Sequence, residues 1–379
     1  MISETSNHAL QKLTIFIPRQ LPASIGRSRL LGALIGSVVG AVRAVVFGGL
    51  VFLVLQLVSI TPLADIVEKS APYRMLQTHV YTPLKNWVAL SLSKQPQLHK
   101  QLNKVAEQWT QLGKFMDPNI TRLYNINQLP NVNQGRTVHL PNGVSIAAGD
   151  DQVSERELKL GASILTQVSV SILKENLGVT PQNTNIALFS SKQSYAAALA
   201  MAGVGSQDIL SMAAKTGGIT AGSDIWINWA ALQSNSDLAN IFTHEVTHAV
   251  FNQEGISDSV PTWVNEGTAW FDGMDAQRKV SSVEADQIIH ANNEQLRRAA
   301  QSGQLLPLSA SERDILNASY NVEWEDYRAV HELVQRYGLT KYREFIEGAK
   351  NGTEKSFLSN FGISMQTYTK NFEAEISQR

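Results

Sequence analysis

The chain has 379 residues, of which 43% are hydrophobic and 17% are charged, and its formal net charge is -1. A nearly neutral chain without a basic block lacks the charge pattern of a nucleic-acid-binding protein, so we expect no nucleic-acid partner. The sequence contains no cysteine, which excludes disulfides, thiol catalysis and cysteine-bound zinc. Any metal must therefore be held by histidine, aspartate and glutamate.

The first 60 residues divide into a basic tail and a long apolar run. Residues 1–29 hold four basic side chains and a single acid, and residues 30–60 hold one charged side chain, Arg43. Residues 44–60 are an uncharged stretch at the short end of the length that a membrane helix needs. We predict a single-pass transmembrane anchor at 30–60 in contact with membrane lipid. By the positive-inside rule, residues 1–29 would be a cytoplasmic tail and the later chain would be extracytoplasmic.

Two alternatives to this anchor remain open. The run could be a signal peptide, although it is longer than the usual apolar core and no persuasive small-x-small cleavage site follows it. It could also be a two-pass hairpin that turns at Arg43, which would reverse the orientation. Within the run, Gly32, Gly36 and Gly40 recur every four residues, a spacing that lets membrane helices approach closely and would permit an oligomer.

After the anchor, the pattern predicts a helical stalk and linker over 61–135 and one globular domain over 136–379. Apolar residues repeat at helical intervals before residue 116, whereas residues 118–136 are rich in Asn, Pro and Gln. In the domain, a capping box of Ser154 and Glu157 predicts a helix start. Further predicted elements are strands at 186–189 and 224–228, a helix at 195–201 and a mobile-looking loop at 212–222. The predicted fold class is α+β, with a small mixed sheet and a mainly helical C-terminal part.

Residues 244–248 read His-Glu-Val-Thr-His, the pattern H-E-x-x-H, within a predicted helix. Four helical residues advance about 400°, so His244 and His248 share one face and can bind one metal ion. Glu245 points about 100° away from His244, where it can serve as a base beside an open metal position. The alternative is a chance spacing of two histidines, a known risk of isolated matches. Asn235, Ser236 and Asp237 are candidate N-cap residues of this helix, and Gly255 is its candidate C-terminal stop.

A third metal ligand is predicted one helix later. Glu266 is the only acid between Asp258 and Asp272, and it lies among large apolar residues in a helix that opens at Pro261. A lone buried carboxylate is costly unless it is paired or bound to a metal. The residues between His248 and Glu266 suffice for the end of one helix, a turn and the first turn of a second helix. We therefore predict one Zn²⁺ per chain, held by two histidines and this glutamate.

These two segments, residues 244–248 and residues 263–267 (Trp-Val-Asn-Glu-Gly), resemble the gluzincins. This group of zinc metallopeptidases includes thermolysin and related aminopeptidases, and the likeness is greatest to peptidase MA-like domains. Residues 303–308 and 327–338 also resemble the connector and the next helix of those domains, so the likeness covers roughly 180–375.

The resemblance implies a zincin (thermolysin-like) fold in which the glutamate helix lies beside the H-E-x-x-H helix at the base of a cleft. It implies that His244, His248 and Glu266 bind zinc and that Glu245 is the catalytic base. It also implies a peptide or protein substrate, which would pair with an edge strand at 224–228.

The chain departs from the gluzincin pattern in two respects. Thermolysin-like enzymes carry an aspartate four residues after the ligand glutamate, where it orients a histidine. Here that position is Trp270 and the aspartate, Asp272, is six residues along, so the partner of the histidines is unassigned. The substrate-amine motif of the aminopeptidases is also absent, so their specificity is not carried over.

The donor that would stabilise an oxyanion is assigned to Tyr320, with Tyr327 as the alternative. Enzymes that this chain resembles often use a downstream tyrosine for this role. Tyr320, Trp324, Tyr327 and His331 are spaced to share one helical face, and Tyr320 lies near the predicted helix start. The other interpretation of this spacing is an aromatic packing stripe in the core.

The predicted function is that of a membrane-anchored zinc metallopeptidase that hydrolyses peptide bonds by a zinc-activated water, with Glu245 as general base. One alternative is a membrane-tethered binding or scaffold protein that keeps the zinc site for structure and has little or no proteolysis. Another is a metallohydrolase that acts on a non-peptide bond. The sequence leaves the substrate and the choice between endopeptidase and exopeptidase open.

Overall fold

The computed structural model describes residue 100 and residues 123–132, 135–205 and 208–378. The predicted tail at 1–29, the anchor at 30–60 and most of the stalk at 61–135 lie outside these residues. Within the part that is described, no helix combines the length and apolar character needed to cross a membrane. The described chain is mixed α+β, mostly helical, with one small mixed sheet, as the sequence predicts at that level.

The sheet has five strands in the order β1-β2-β3-β5-β4. Strands β2, β3 and β5 are parallel, and the two outer strands β1 and β4 each pair antiparallel with their neighbour. The strands are β1 (Thr137–His139), β2 (Ser145–Ala148), β3 (Asn185–Phe189), β4 (Gly218–Ala221) and β5 (Asp224–Asn228).

Helices cover both faces of the sheet and make up nearly all of the chain after β5. Helix α1 continues through a π-helical turn (Leu165–Ser169) into α2. The helices are α1 (Glu155–Ile164), α2 (Val170–Asn176), α3 (Lys192–Ala202), α4 (Ile209–Lys215), α5 (Asn235–Gln253), α6 (Thr262–Val280), α7 (Ser282–Gln301), α8 (Glu312–Asn317), α9 (Glu323–Tyr337), α10 (Leu339–Ala349), α11 (Thr353–Phe361) and α12 (Met365–Gln378).

Alternating side chains of the strands enter two separate cores, because successive residues of a strand point to opposite faces. Ile225 and Ile227 of β5 face the larger core, which contains α1, α5 and the helices after it. Trp226 between them faces a smaller core with α3 and α4. The segment predicted as a linker contributes to this smaller core, where Ile126 and Leu129 are buried.

The sequence prediction was wrong in one region that bears on the site. The stretch 212–222, predicted as a loop, contains the end of α4 and the whole of β4. The glycines of this stretch are typical of a loop, but residues 218–221 pair with β5 as a short strand. By contrast, the predicted capping box is confirmed, since Ser154 accepts from the Glu157 N–H and the Glu157 carboxylate accepts from the Ser154 N–H.

Candidate metal centre

Helix α5 runs through the centre of the domain. Ser234, and not the predicted residues 235–237, is its N-cap, since the Ser234 hydroxyl accepts from the Asp237 N–H. All of residues 236–251 are buried, because the sheet, the α1–α2 unit and α6 surround the helix. The chain leaves the helix through Gly255, whose φ of 66° is the left-handed conformation that a C-terminal stop uses. The H-E-x-x-H residues therefore lie on a rigid, buried element.

Helix α6 packs directly against α5 and carries Glu266 in its first turns. Close approach is possible because two α6 positions are glycine. A Cβ at Gly273 would lie 2.5 Å from the Asn240 side chain of α5, and a Cβ at Gly267 would lie 2.7 Å from Val330 of α9. Gly273 thus allows α6 to approach α5, and Gly267 allows it to approach α9.

Two imidazoles and one carboxylate converge between α5 and α6. The Nε2 atoms of His244 and His248 are 3.0 Å apart, and Glu266 Oε2 is 3.7 Å from the first and 3.2 Å from the second. Ligands at about 2.0–2.1 Å from a tetrahedral zinc are about 3.3 Å from one another, so these three separations match a shared ion. Within the described residues this is the one group of three His, Asp or Glu side chains close enough to hold a metal.

The Glu266 carboxylate lies in an environment that calls for a cation. Its side chain is 1% exposed, and within the described residues neither of its oxygens accepts a hydrogen bond from any group beyond the two imidazoles. Burial lowers the pKa of His248, but the Glu266 carboxylate outweighs this and raises that pKa to about 9. Burial and the neighbouring His248 hold the pKa of His244 well below its usual range. One positive charge, from a proton or a metal, therefore balances Glu266.

Asn265 orients His248, a contact that sequence reasoning missed. The Asn265 side-chain oxygen lies 3.0 Å from His248 Nδ1, which leaves Nε2 of that ring directed at Glu266. Such a bond fixes which ring nitrogen is free to bind a metal. The signal was present in the sequence, since Asn265 directly precedes the predicted ligand, but it required the rotation of α6 to be recognised.

The two residues that depart from the thermolysin pattern have separate roles. The Trp270 ring meets the His244 ring edge-on with centroids 5.6 Å apart, and its indole N–H donates to Glu323 at 2.8 Å. Asp272 is not part of the three-ligand group and accepts from Thr247 at 3.0 Å and from Asn176 at 2.9 Å. Asp272 therefore joins α6 to α5 and α2, and Trp270 packs against one imidazole.

Glu245 contacts strand β4. Its Oε2 accepts a hydrogen bond of 2.5 Å from the Thr220 hydroxyl, and the side chain is fully buried.

The prediction that residues 224–228 form an edge strand was wrong. This segment is β5, which lies between β3 and β4 and is paired on both sides. The strand beside α5 at the sheet edge is β4.

Tyr320 and Tyr327 occupy different settings. Tyr320 precedes α9, so it does not share a helical face with the other three aromatic residues. Its hydroxyl donates to Glu325 and accepts from the Leu306 N–H, both at 2.8 Å. Tyr327 packs between Trp324 and His331 with tilted rings, whose centroids are 4.3 Å and 5.5 Å away. The aromatic residues on α9 thus form a packing stripe, while a catalytic role for Tyr320 stays a prediction.

Comparison with known proteins adds no family to these observations. Neither a scan against protein-family models nor a search of curated proteins gives a match for this chain. The site must accordingly be interpreted from its own chemistry.

Proposed function

We propose that this protein is a zinc-dependent metallopeptidase with a gluzincin-type domain. The single observation that carries the proposal is the buried Glu266 carboxylate, which faces the imidazoles of His244 and His248 and has no other hydrogen-bond donor within the described residues. A buried carboxylate without donors is unfavourable unless a cation balances it. Two imidazoles and one carboxylate are the donor set of a catalytic zinc that keeps a position open.

The residue beside the ligands favours zinc hydrolysis over other metal chemistry. Two histidines and a carboxylate also bind ferrous iron in oxygenases, so the donor set alone does not select the metal. Glu245 follows His244 directly and lies close enough to His248 to raise its pKa. A carboxylate held beside an open zinc position is the general base that hydrolysis requires, and it has no evident role in oxygen chemistry.

The proposed reaction is the addition of water to a peptide carbonyl. When bound, zinc lowers the pKa of a water ligand to about 7 and polarises the carbonyl. Glu245 takes the proton of the attacking water and then delivers it to the departing amine. Asn265 keeps His248 in the orientation that presents Nε2 to the ligand group.

The position of β4 supports an extended peptide as the substrate. Its one partner among the described strands is β5, and we propose that an extended peptide adds to its other side. Because β4 contacts Glu245 through Thr220, a peptide paired with β4 would lie near the proposed base. The membrane anchor at 30–60 belongs to the proposal as well, and it would confine the substrates to proteins near a membrane.

The experiment uses the full chain, purified and loaded with zinc, with a peptide library as substrate. Glu245→Gln keeps the size of the side chain and removes the base. We expect the parent to cleave peptides and the variant to bind as much zinc but to lose about 10²–10⁴-fold in kcat. Equal cleavage by Glu245→Gln would contradict the proposed mechanism.

A membrane-tethered scaffold that keeps its zinc for structure is the second candidate. One observation favours it: the hydroxyl of Tyr320, the residue assigned to the oxyanion, already donates to Glu325. This candidate predicts zinc bound to the parent at one ion per chain without turnover of any peptide in the same library.

A further inference from the structure

Thr220 of β4 makes a short hydrogen bond to Glu245. Its hydroxyl lies 2.5 Å from Glu245 Oε2 and 3.1 Å from the Glu245 backbone oxygen, and both residues are buried. A hydroxyl carries one proton, and a separation of about 2.5–2.7 Å is typical of donation to a charged carboxylate. The carboxylate is therefore the main acceptor of this bond.

Gly218, two residues earlier on the same strand, contacts the same side chain. A Cβ at this position would lie 2.5 Å from Glu245 Oε1 and 2.8 Å from its Cδ and Cγ atoms. Since Gly218 does not adopt a positive φ, the glycine is required there for space and not for backbone conformation. Alternation along β4 accounts for the pairing, because Ile219 and Ala221 enter the smaller core while Gly218 and Thr220 face α5.

We propose that Thr220 is a positioning residue for Glu245, and that β4 thereby sets the place of the catalytic base. The inference rests on the proposed peptidase function, in which Glu245 moves protons. Thr220 holds one carboxylate oxygen, and Gly218 leaves room for the carboxylate to lie flat against the strand. A glutamate has three side-chain torsions and a broadly rotating carboxylate, so without these contacts its geometry at the reacting atoms is poorly defined.

The arrangement links substrate binding with the base. The strand that holds Glu245 is also the outer strand of the described sheet and the one proposed to pair with the peptide. A peptide that adds to β4 would hydrogen-bond to the backbone of the strand that carries Thr220. That one short strand would then set the distance between the scissile bond and the base.

Two conservative substitutions separate positioning from simple packing. Thr220→Val keeps the shape and removes the hydroxyl, whereas Thr220→Ser keeps the hydroxyl. In the zinc-loaded full chain we expect Thr220→Val to lower kcat by about 10–100-fold, with KM within about twofold of the parent and unchanged zinc content. Thr220→Ser should restore kcat to within about threefold. A Thr220→Val protein that turns over as fast as the parent would overturn the proposal.

Crystal structures of these two variants and of Gly218→Ala give a readout that does not depend on turnover. We expect the Glu245 carboxylate to keep its parental rotamer in Thr220→Ser and to leave it in Thr220→Val and in Gly218→Ala. An unmoved Glu245 in Thr220→Val contradicts positioning by Thr220, whatever the activity. If the parent itself cleaves no peptide while Glu245 moves in Thr220→Val and not in Thr220→Ser, the proposed function fails and the positioning contact stands.

Discussion

Helix α6 carries two fully buried carboxylates in opposite environments. Glu266 faces two imidazoles and has no further hydrogen-bond donor within the described residues. Asp272, six residues later, accepts from the Asn176 amide and the Thr247 hydroxyl. Asp272 has the neutral donors of a structural contact between helices, whereas Glu266 lacks them and depends on a cation. Burial alone therefore does not identify a ligand; the identity of the donors around the carboxylate does.

The largest expected effect concerns the pH dependence of Asp272. Burial raises its pKa from 3.8 to about 7. Because the folded-state pKa is the higher one, the folded state is favoured fully below pH 3.8 and loses that advantage as the pH rises through about 7. Each pKa unit corresponds to about 1.4 kcal/mol, so the parent should lose about 2–3 kcal/mol between pH 5 and pH 8 from this group.

Urea unfolding of Asp272→Asn at a series of pH values checks this expectation. The variant should keep the free energy of unfolding that the parent loses between pH 5 and pH 8. Asp258→Asn, at an exposed position on the turn between α5 and α6, serves as the control and should follow the parent. Parallel curves for the parent and Asp272→Asn would show that Asp272 is not the buried titrating group described here.

The second expected effect is on the packing of α6, the helix that carries Glu266, against α9. A Cβ in Gly267→Ala would meet the backbone oxygen of Asp326 and, at 2.7 Å, the side chain of Val330. Overpacking of this kind destabilises a protein by about 1–3 kcal/mol. Urea denaturation measures the loss. A variant as stable as the parent would mean that α9 shifts at little cost. The position of α6, and of Glu266 on it, would then be less fixed than the contacts imply.

The third expected effect is on metal affinity and concerns Asn265, the partner of the proposed ligand His248. Asn265→Ala removes the acceptor for His248 Nδ1, and loss of such a partner typically lowers metal affinity about 10–100-fold. Competition with a chelator of known zinc affinity measures the change, and Asn265→Asp, which keeps an acceptor oxygen, is the matched variant. Unchanged affinity in Asn265→Ala would assign the orientation of His248 to packing alone.

The three proposed metal ligands could be predicted from the sequence, because they depend on helical spacing and on the position of a single acid. The i, i+4 spacing puts His244 and His248 on one face, and Glu266 stands out as the only acid between Asp258 and Asp272. The structure brings the three together. The same reasoning gives the α+β class and the start of α1 at the capping box of Ser154 and Glu157.

Contacts that depend on how elements are rotated and paired were beyond the sequence. The partner of His248 follows from the rotation of α6, and the sheet edge follows from a pairing order in which β5 precedes β4 in space. Thr220 lay in a glycine-rich stretch that predicted a loop. Its contact with Glu245 appears only once that stretch pairs as a strand against β5.

Zinc content of Glu266→Gln and Asp272→Asn, measured by elemental analysis beside the parent, tests the central claim most directly. Both substitutions replace one buried carboxyl group of α6 with an amide and keep the side chain close in size. We predict about one zinc per chain in the parent and in Asp272→Asn, and less than about a tenth of that in Glu266→Gln. Zinc retained by Glu266→Gln at the level of the parent, or a parent that takes up none, would contradict the assignment of this site.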